Sequence, residues 1–492
     1  MVKTTPTLII GTGFSGLGLA IRLRMEGRED FVVLERGQDV GGTWRDNTYP
    51  GCACDIQSHL YSFSFAPNPN WSRAYSPQPE ILDYLRDCAT KFDVRRFIRF
   101  GCTVRSLHWN EATSDWTVET SAGEWRAQSV VMATGPLSEP SIPALPGLAS
   151  FAGPVFHSAE WDRTFDARAK RIAIIGNGAS GVQFTPILQK QAKHLVVFQR
   201  TAAWVVPRPN PVFGTFERAL FRYFPGARLL VRSTIFLARE ILSFAFRSPR
   251  LMKVLEYFAL QQLAKDVRDP VLREKLTPKY TIGCKRILLA NDYWPALAQA
   301  NVDVVIDGIA EIRAPLDGDT GGRLVTSDGR FYDVDALIFA TGFRVTDSPF
   351  YSKVFGRGHQ TLAEVWQGSP RAYLGTMAHG FPNLIFLLGP NTGLGHSSVV
   401  LMIEAQIVHA MKILARLREP LIGALEARQE AQDHFVGDVD LAMKSTVWMR
   451  GGCKSWYLDR TGRNSTIWPK TVVSFQKLLH SANLDGYQET IK

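Results

Sequence analysis

Apolar positions along this chain of 492 residues follow an order that occurs twice. A run at residues 7–10 leads into a helical stretch ending near Met25 and a second run at 31–34; a run at 171–175 leads into another helical stretch and a run at 194–198. Continuous apolar runs bounded by glycine predict strands buried on both faces, and strand, helix, strand in that order predicts a parallel βαβ unit. Residues 129–135 and 336–342 each predict one more buried strand, and both end in Ala-Thr-Gly. The shared ending suggests two crossings between the units, out through the proline-rich stretch 136–154 and back after Gly342. Residues 79–92 show the period of an amphipathic helix, and 103–125 alternate as a hairpin does. The predicted fold is α/β with two Rossmann-like dinucleotide-binding domains. The first is built from 1–149 and 342–492, the second from 150–341 with a helical insertion at about 209–280.

The turn after each first strand indicates what the units hold. In the first, Gly11-Thr12-Gly13-Phe14-Ser15-Gly16 joins strand to helix, and the second strand ends at Glu35. In that setting G-x-G-x-x-G lets the backbone approach a pyrophosphate at the helix N-terminus, and the carboxylate accepts hydrogen bonds from a ribose. In the second, Gly176-Asn177-Gly178-Ala179-Ser180-Gly181 repeats the turn, but the strand runs out into Gln199-Arg200-Thr201. An acid repels a 2′-phosphate, whereas an arginine holds one. The first site therefore suits FAD or NAD and the second NADP; the plainer alternative for Arg200 is a solvated surface cation.

Composition is ordinary for a globular protein, with 21% charged residues. The six cysteines are scattered, without C-x-x-C or histidine partners at zinc-finger spacing, so reduced thiols and no structural metal are expected. Cys52 and Cys54 are two residues apart, not the four that a dithiol flavoprotein uses, and Trp44 stands where the first thiol is looked for. The chain starts without a signal-peptide pattern and contains no bilayer-length apolar run, which favours the cytoplasm. Much of the formal charge of +10 is local: between Pro211 and Tyr280 there are thirteen Lys and Arg against six Asp and Glu, interleaved with aromatics. No nucleic-acid motif accompanies them, so nucleic acid is not an expected partner; anionic cofactors are. Residues 229–246 in this insertion are apolar on much of their surface. Packing onto the core and walling a substrate tunnel is the first reading, and peripheral contact with a membrane the second.

Between the two glycine turns lies Phe151-Ala-Gly153-Pro-Val-Phe-His157-Ser-Ala-Glu-Trp161-Asp162. This F-x-G-x-x-x-H-x-x-x-W-D pattern resembles the fingerprint of type I Baeyer–Villiger monooxygenases, class B flavoproteins, in place as well as in spacing; related N- and S-oxygenating enzymes carry Tyr or Phe where Trp161 stands. Read from the residues, His157 is first a structural support. The resemblance extends along nearly the whole chain. Gly41-Gly42-Thr43-Trp44 and Tyr49-Pro-Gly51 are similar to the family's FAD-contacting segment, although Arg45 replaces an aromatic residue. Gly389-Pro-Asn-Thr-Gly393 resembles the segment that closes over the flavin before a long helix starting near Ser397, and Ser455-Trp456 resembles the loop that folds onto the nicotinamide cofactor. The resemblance implies an FAD site at Gly11, Gly13, Phe14, Ser15, Gly16, Glu35, Arg36, Gly42, Thr43, Trp44, Asp55 and Tyr61. It implies an NADPH site at Gly176, Gly178, Ala179, Ser180, Gly181, Arg200, Thr201, Lys285 and Trp456.

Oxygen insertion beside a carbonyl needs an oxygen nucleophile kept anionic in a dry cavity, and an arginine supplies a fixed cation with a rigid fork of donors. Ile282-Gly-Cys-Lys285-Arg286 resembles the family's Lys-Arg turn, whose arginine faces the flavin and whose lysine reaches the NADP 2′-phosphate; Asp55 matches the carboxylate that pairs with that arginine. Arg286 and Asp55 are accordingly the expected catalytic residues, and an ordinary surface cation is the alternative for Arg286. The function implied is NADPH- and O2-dependent conversion of a small apolar ketone to an ester or lactone through a flavin C4a peroxide. N- or S-oxygenation, or hydroxylation of a lipid-like substrate, is the alternative within the same chemistry. A non-oxygenating NADPH reductase is a third reading from another class.

Overall fold

The computed structural model describes residues 2–315 and 320–492. Strand β1 (Lys3–Ile10), helix α1 (Phe14–Met25) and strand β2 (Phe31–Leu34) form the first βαβ unit, with β1 and β2 parallel. Helix α2 (Gln78–Lys91) buries Ile81, Leu85 and Cys88 on one face. Strands β3 (Val104–Asn110), β4 (Asp115–Thr120) and β5 (Gly123–Met132) follow. The hairpin and the buried strand expected separately are joined in β5. Its first half pairs antiparallel with β4, and most of its length, through Met132, pairs parallel with β1. A strand of ten residues can serve both because burial alternates at its start and is continuous over its last four positions.

Strand β6 (Val155–His157), strand β7 (Arg171–Ile175), helix α3 (Ala179–Gln189) and strand β8 (His194–Phe198) begin the second sheet. The insertion then supplies α4 (Thr215–Tyr223), α5 (Pro225–Phe246), α6 (Pro249–Asp266) and α7 (Pro270–Leu276), before β9 (Val302–Val305) and β10 (Ala336–Phe339) complete an all-parallel order β9-β8-β7-β10-β6. The returning chain adds β11 (Leu384–Phe386) to β5 of the first sheet, then α8 (Val399–Leu417) and α9 (Val472–Ser481). At the crossings the two connections touch: Ser141 N–H donates to the Gly342 carbonyl at 2.8 Å. The Ala-Thr-Gly strand ends sit against the glycine turns. A Cβ on Gly11 would lie 2.7 Å from the Ala133 oxygen, and one on Gly176 would lie 2.4 Å from the Ala340 oxygen.

One expectation is corrected here. Cys284 and Cys453 form a disulfide, while Cys52, Cys54, Cys88 and Cys102 are free and buried. A separation of 169 residues leaves no trace in local spacing. On α5, Ile235 and Phe236 pack on the main core and Leu242, Ala245 and the buried Phe246 on a second cluster. The same side carries Arg232, which donates to the His59 carbonyl at 2.7 Å, and Arg239, which donates to Gln57 at 2.8 Å; Leu237, Ile241 and Phe244 point to solvent.

Candidate active site

Helix α1 starts on Gly13 with no side-chain cap and no acid in its first turn. A Cβ on Gly13 would meet nothing nearer than the Gly42 Cα at 3.9 Å, and Gly42 itself has φ +50. Two glycines thus leave a slot walled by backbone at a helix N-terminus, which fits a pyrophosphate. Inside α1, a Cβ on Gly16 would come 1.9 Å from the Gly11 carbonyl oxygen, so this third glycine is required for close helix–strand packing. Ser15 is buried beside it. Phe14 packs edge-on against Tyr61 with ring centres 5.1 Å apart, and Trp44, next to Thr43 in a short helical turn, donates from Nε1 to the Tyr61 hydroxyl at 3.1 Å.

Glu35 is buried at the end of β2, and its acceptors are engaged. Oε2 receives Thr12 N–H at 2.9 Å and the Thr12 hydroxyl at 2.6 Å, while Oε1 receives Gly37 N–H at 2.7 Å and Arg45 at 2.7 Å. Burial alone would push its carboxyl up, but Arg45 and these donors outweigh it and hold the pKa below the usual range. A ribose hydroxyl reaching Glu35 must replace one of these donors, and the side chains of Arg45 and Thr12 are the displaceable ones. Arg36 is exposed and donates to the Ser138 carbonyl at 3.2 Å.

Asp55 and Arg286, 231 residues apart, meet as a bidentate pair, Nε to Oδ2 at 2.5 Å and Nη2 to Oδ1 at 2.7 Å. Each side chain keeps a quarter of its surface open. Burial pushes the Asp55 carboxyl up, and the adjacent guanidinium outweighs it, holding it below the usual carboxylate range; burial likewise opposes the Arg286 charge and Asp55 restores it. Arg286 Nη1 also points at the Leu394 carbonyl at 3.4 Å, in the segment after Gly389-Pro390. Two of the five guanidinium N–H groups go to Asp55 and one to Leu394, which leaves two for another acceptor. Cys52 and Cys54 lie beside the pair. Burial pushes Cys52 up to about 12 and Cys54 higher still, so both are neutral thiols.

At the second turn, α3 starts on Gly178 with no side-chain cap, and Gly178 and Ala179 are exposed. Gly181 packs in the helix against the Gly176 carbonyl, and Ser180 receives a hydrogen bond from Ser158 at 3.1 Å. Lys285 reaches the Thr201 hydroxyl at 2.6 Å. Burial and then the nearby Arg200 charge lower the Lys285 pKa. Two cations that repel each other beside an open helix N-terminus, with no ion pair to either among the described residues, fit a phosphate. The linker strand β6 brings in the remaining residues. Phe151 packs under β10, a Cβ on Gly153 would lie 2.2 Å from the Asp335 oxygen, and His157 is buried, accepting Ala159 N–H on Nδ1 at 3.1 Å. Trp161 packs on Phe184 of α3 with ring centres 5.3 Å apart. All four hold the crossing in place, and none of them touches Arg286.

A family model described as flavin-binding monooxygenase-like matches residues 5–362. A Baeyer–Villiger monooxygenase of Streptomyces coelicolor is 48% identical over 98% of this chain and 92% of its own length. The chain belongs to the flavin-binding monooxygenase-like family, among the Baeyer–Villiger monooxygenases. Two solved structures superpose along all of both chains. One is cyclohexanone monooxygenase in a closed form (TM-score 0.88, 27% identity), and the other is OTEMO in complex with FAD and NADP (TM-score 0.88, 26% identity).

Within this Baeyer–Villiger architecture the structure adds residues that sequence reading passed over. Gln183 of α3 accepts from the Tyr49 hydroxyl at 3.0 Å and donates to the Ala53 carbonyl at 3.0 Å, tying the segment before Asp55 to the second nucleotide unit. Tyr457, next to the half-exposed Trp456, is fully buried with its hydroxyl turned towards Arg286. The Cys284–Cys453 bridge joins the turn that carries Lys285 and Arg286 to the loop that carries Trp456. Only the pairing of two cysteines flanking the two functional loops could have hinted at it. A separate cavity of about 320 Å³, lined by Tyr49, Cys52, Arg73 and Arg208 among others, does not include Arg286.

Proposed function

We propose that this chain uses NADPH and O2 to convert an apolar ketone to an ester or lactone, and that Arg286, held by Asp55, is the catalytic cation. The observation that carries the reading is the bidentate pair, a guanidinium fixed by two hydrogen bonds to one carboxylate with further N–H donors beyond them. FAD, when bound, supplies two-electron reduction by NADPH and the activation of dioxygen. The protein supplies the rest. Residues 1–149 and 342–492 form the FAD domain, with the Gly13–Gly42 slot for the pyrophosphate, Trp44 and Tyr61 nearby and Glu35 towards the ribose. Residues 150–341 form the NADP domain, where Arg200, Lys285 and Thr201 take the 2′-phosphate and select NADPH over NADH, and Trp456 closes over the cofactor.

With FAD and ketone bound, Arg286 would offer N–H donors to an oxygen that carries negative charge, and would serve the carbonyl oxygen of the ketone in the same way as charge moved onto it. The fork of Asp55 fixes the guanidinium plane, so no reorganisation is needed as charge moves. Oxygenation of a soft nitrogen or sulfur atom requires no cation that holds an anion, so this pair favours the ketone reaction. The aromatic and aliphatic content of the insertion, of the loops near Phe63 and of the region after Trp448 favours a bulky or long apolar ketone. The need for NADPH favours the cytoplasm, where it is regenerated. A panel of cyclic, linear and aryl ketones run with NADPH, with product mass and flavin absorbance followed together, tests the proposal. An ester or lactone formed in step with NADPH use is expected, and NADPH oxidation without an oxygenated ketone product would overturn it.

A further inference from the structure

Helix α5 is apolar on both sides: Ile235, Phe236, Leu242 and Phe246 pack inward, and its charges share that inward side. Its charged residues between Arg228 and Arg247 all turn to the body: Arg232 to the carbonyls of His59 and Ser62, Arg239 to Gln57, and Glu240 to Val472 N–H at 3.0 Å and Val473 N–H at 3.2 Å at the start of α9. The opposite face, at the helical spacing Leu230, Leu237, Ile241 and Phe244, is apolar, and each of these side chains is more than half exposed. On the neighbouring α6, Met252, Ala259 and Leu263 are buried, while Leu251, Val254, Tyr257 and Phe258 are more than half exposed. Helix α4 adds Phe216 and Tyr223. About half of the exposed large hydrophobic side chains among the described residues lie between Val212 and Val271. A helix facing water on its outer side carries polar residues there, so the exposed apolar row points to an apolar environment outside.

We propose that the outer face of α4–α6 docks on an anionic lipid surface, with the side chains of Leu237, Ile241, Phe244, Val254 and Phe258 entering the acyl boundary. Charge selects this occupant. Exposed Arg218, Arg222, Arg250 and Lys253, with Arg228 and Arg247 half-buried, surround the apolar side chains. Of the acids on these helices, Glu217 is bonded to Gly214 N–H, Glu240 is buried, Glu256 accepts Ile282 N–H and Asp266 accepts Gln262. A second copy docked on the same face would oppose this positive rim with an identical one, whereas anionic headgroups complement it. No helix among the described residues is long and apolar enough to cross a membrane, so the contact is peripheral. The proposal is independent of the reaction assigned above.

The test is flotation of the full-length, FAD-loaded protein with vesicles of phosphatidylcholine alone or mixed with phosphatidylglycerol, at low and high salt. The protein should float with the mixed vesicles, and less at high salt. Leu237→Ser/Phe244→Ser and Arg250→Glu/Lys253→Glu should each lower the bound fraction about tenfold while leaving turnover of a water-soluble ketone unchanged. Absence of flotation with either vesicle overturns the proposal. So does a dimer in sedimentation that Leu237→Ser/Phe244→Ser converts to monomer without any lipid binding, because a second copy would then cover the face.

Discussion

Replacing Asp55 by alanine removes the only carboxylate that pairs with Arg286 among the described residues and strands a guanidinium whose Nε and Nη2 hydrogens lose their acceptor. The pair is bidentate at 2.5 and 2.7 Å and three-quarters buried. Breaking such a pair from one side costs about 3 kcal/mol, most of it for the unpaired charge that remains. If that energy now holds the guanidinium in place, Asp55→Ala lowers the rate of ester formation about a hundredfold. Asp55→Asn, which keeps one acceptor oxygen, should fall by about tenfold. In an Arg286→Ala background, where no ester is made, the cycle is read as thermal stability: Asp55→Ala leaves no unpaired guanidinium there, so it should cost less stability than in the wild type, a coupling of about 3 kcal/mol. The assay is ester formed per NADPH consumed, with FAD content checked for every variant. Additive losses across the cycle would refute the claim that Asp55 acts through Arg286.

Arg200→Ala and Lys285→Ala should each weaken NADPH binding about tenfold to a hundredfold and leave NADH nearly unaffected, as titration of the oxidised protein would show. Because burial and Arg200 lower the Lys285 pKa, NADP affinity should decline with rising pH before an ordinary lysine would titrate. Three buried histidines, His59, His157 and His409, are lowered to about 4 by burial. They stay neutral in the fold while the unfolded chain takes up protons from about 6.5 downward, so stability is lost as pH falls from 6.5 towards 4, and thermal unfolding at pH 7 and pH 5 should differ accordingly. The Asp55 pKa is lowered as well, by the adjacent guanidinium, so its contribution is present above the ordinary value of 3.8 and is lost progressively as pH falls from there through the lower folded value. Thiol titration of the denatured, unreduced protein should count four free cysteines, rising to six after reduction.

The two βαβ units were legible because continuous apolar runs, glycine turns and the end of the second strand are local in sequence, and local geometry dictates them. The Arg286–Asp55 meeting was legible only through resemblance, since 231 residues separate the two side chains and no periodicity joins them. Sequence reading missed Thr12 and Arg45 on Glu35, because hydrogen bonds to a buried carboxylate depend on side-chain direction and not on residue spacing. On α5, apolar residues lie on both sides, so periodicity did not reveal that the packed side also carries Arg232, Arg239 and Glu240.

Rapid mixing of Arg286→Ala with NADPH, first without and then with oxygen and ketone, tests the central claim most directly. The account predicts full FAD content, flavin reduction by NADPH and consumption of oxygen, with no ester or lactone formed. Ester formation by this variant at near the wild-type rate would contradict it.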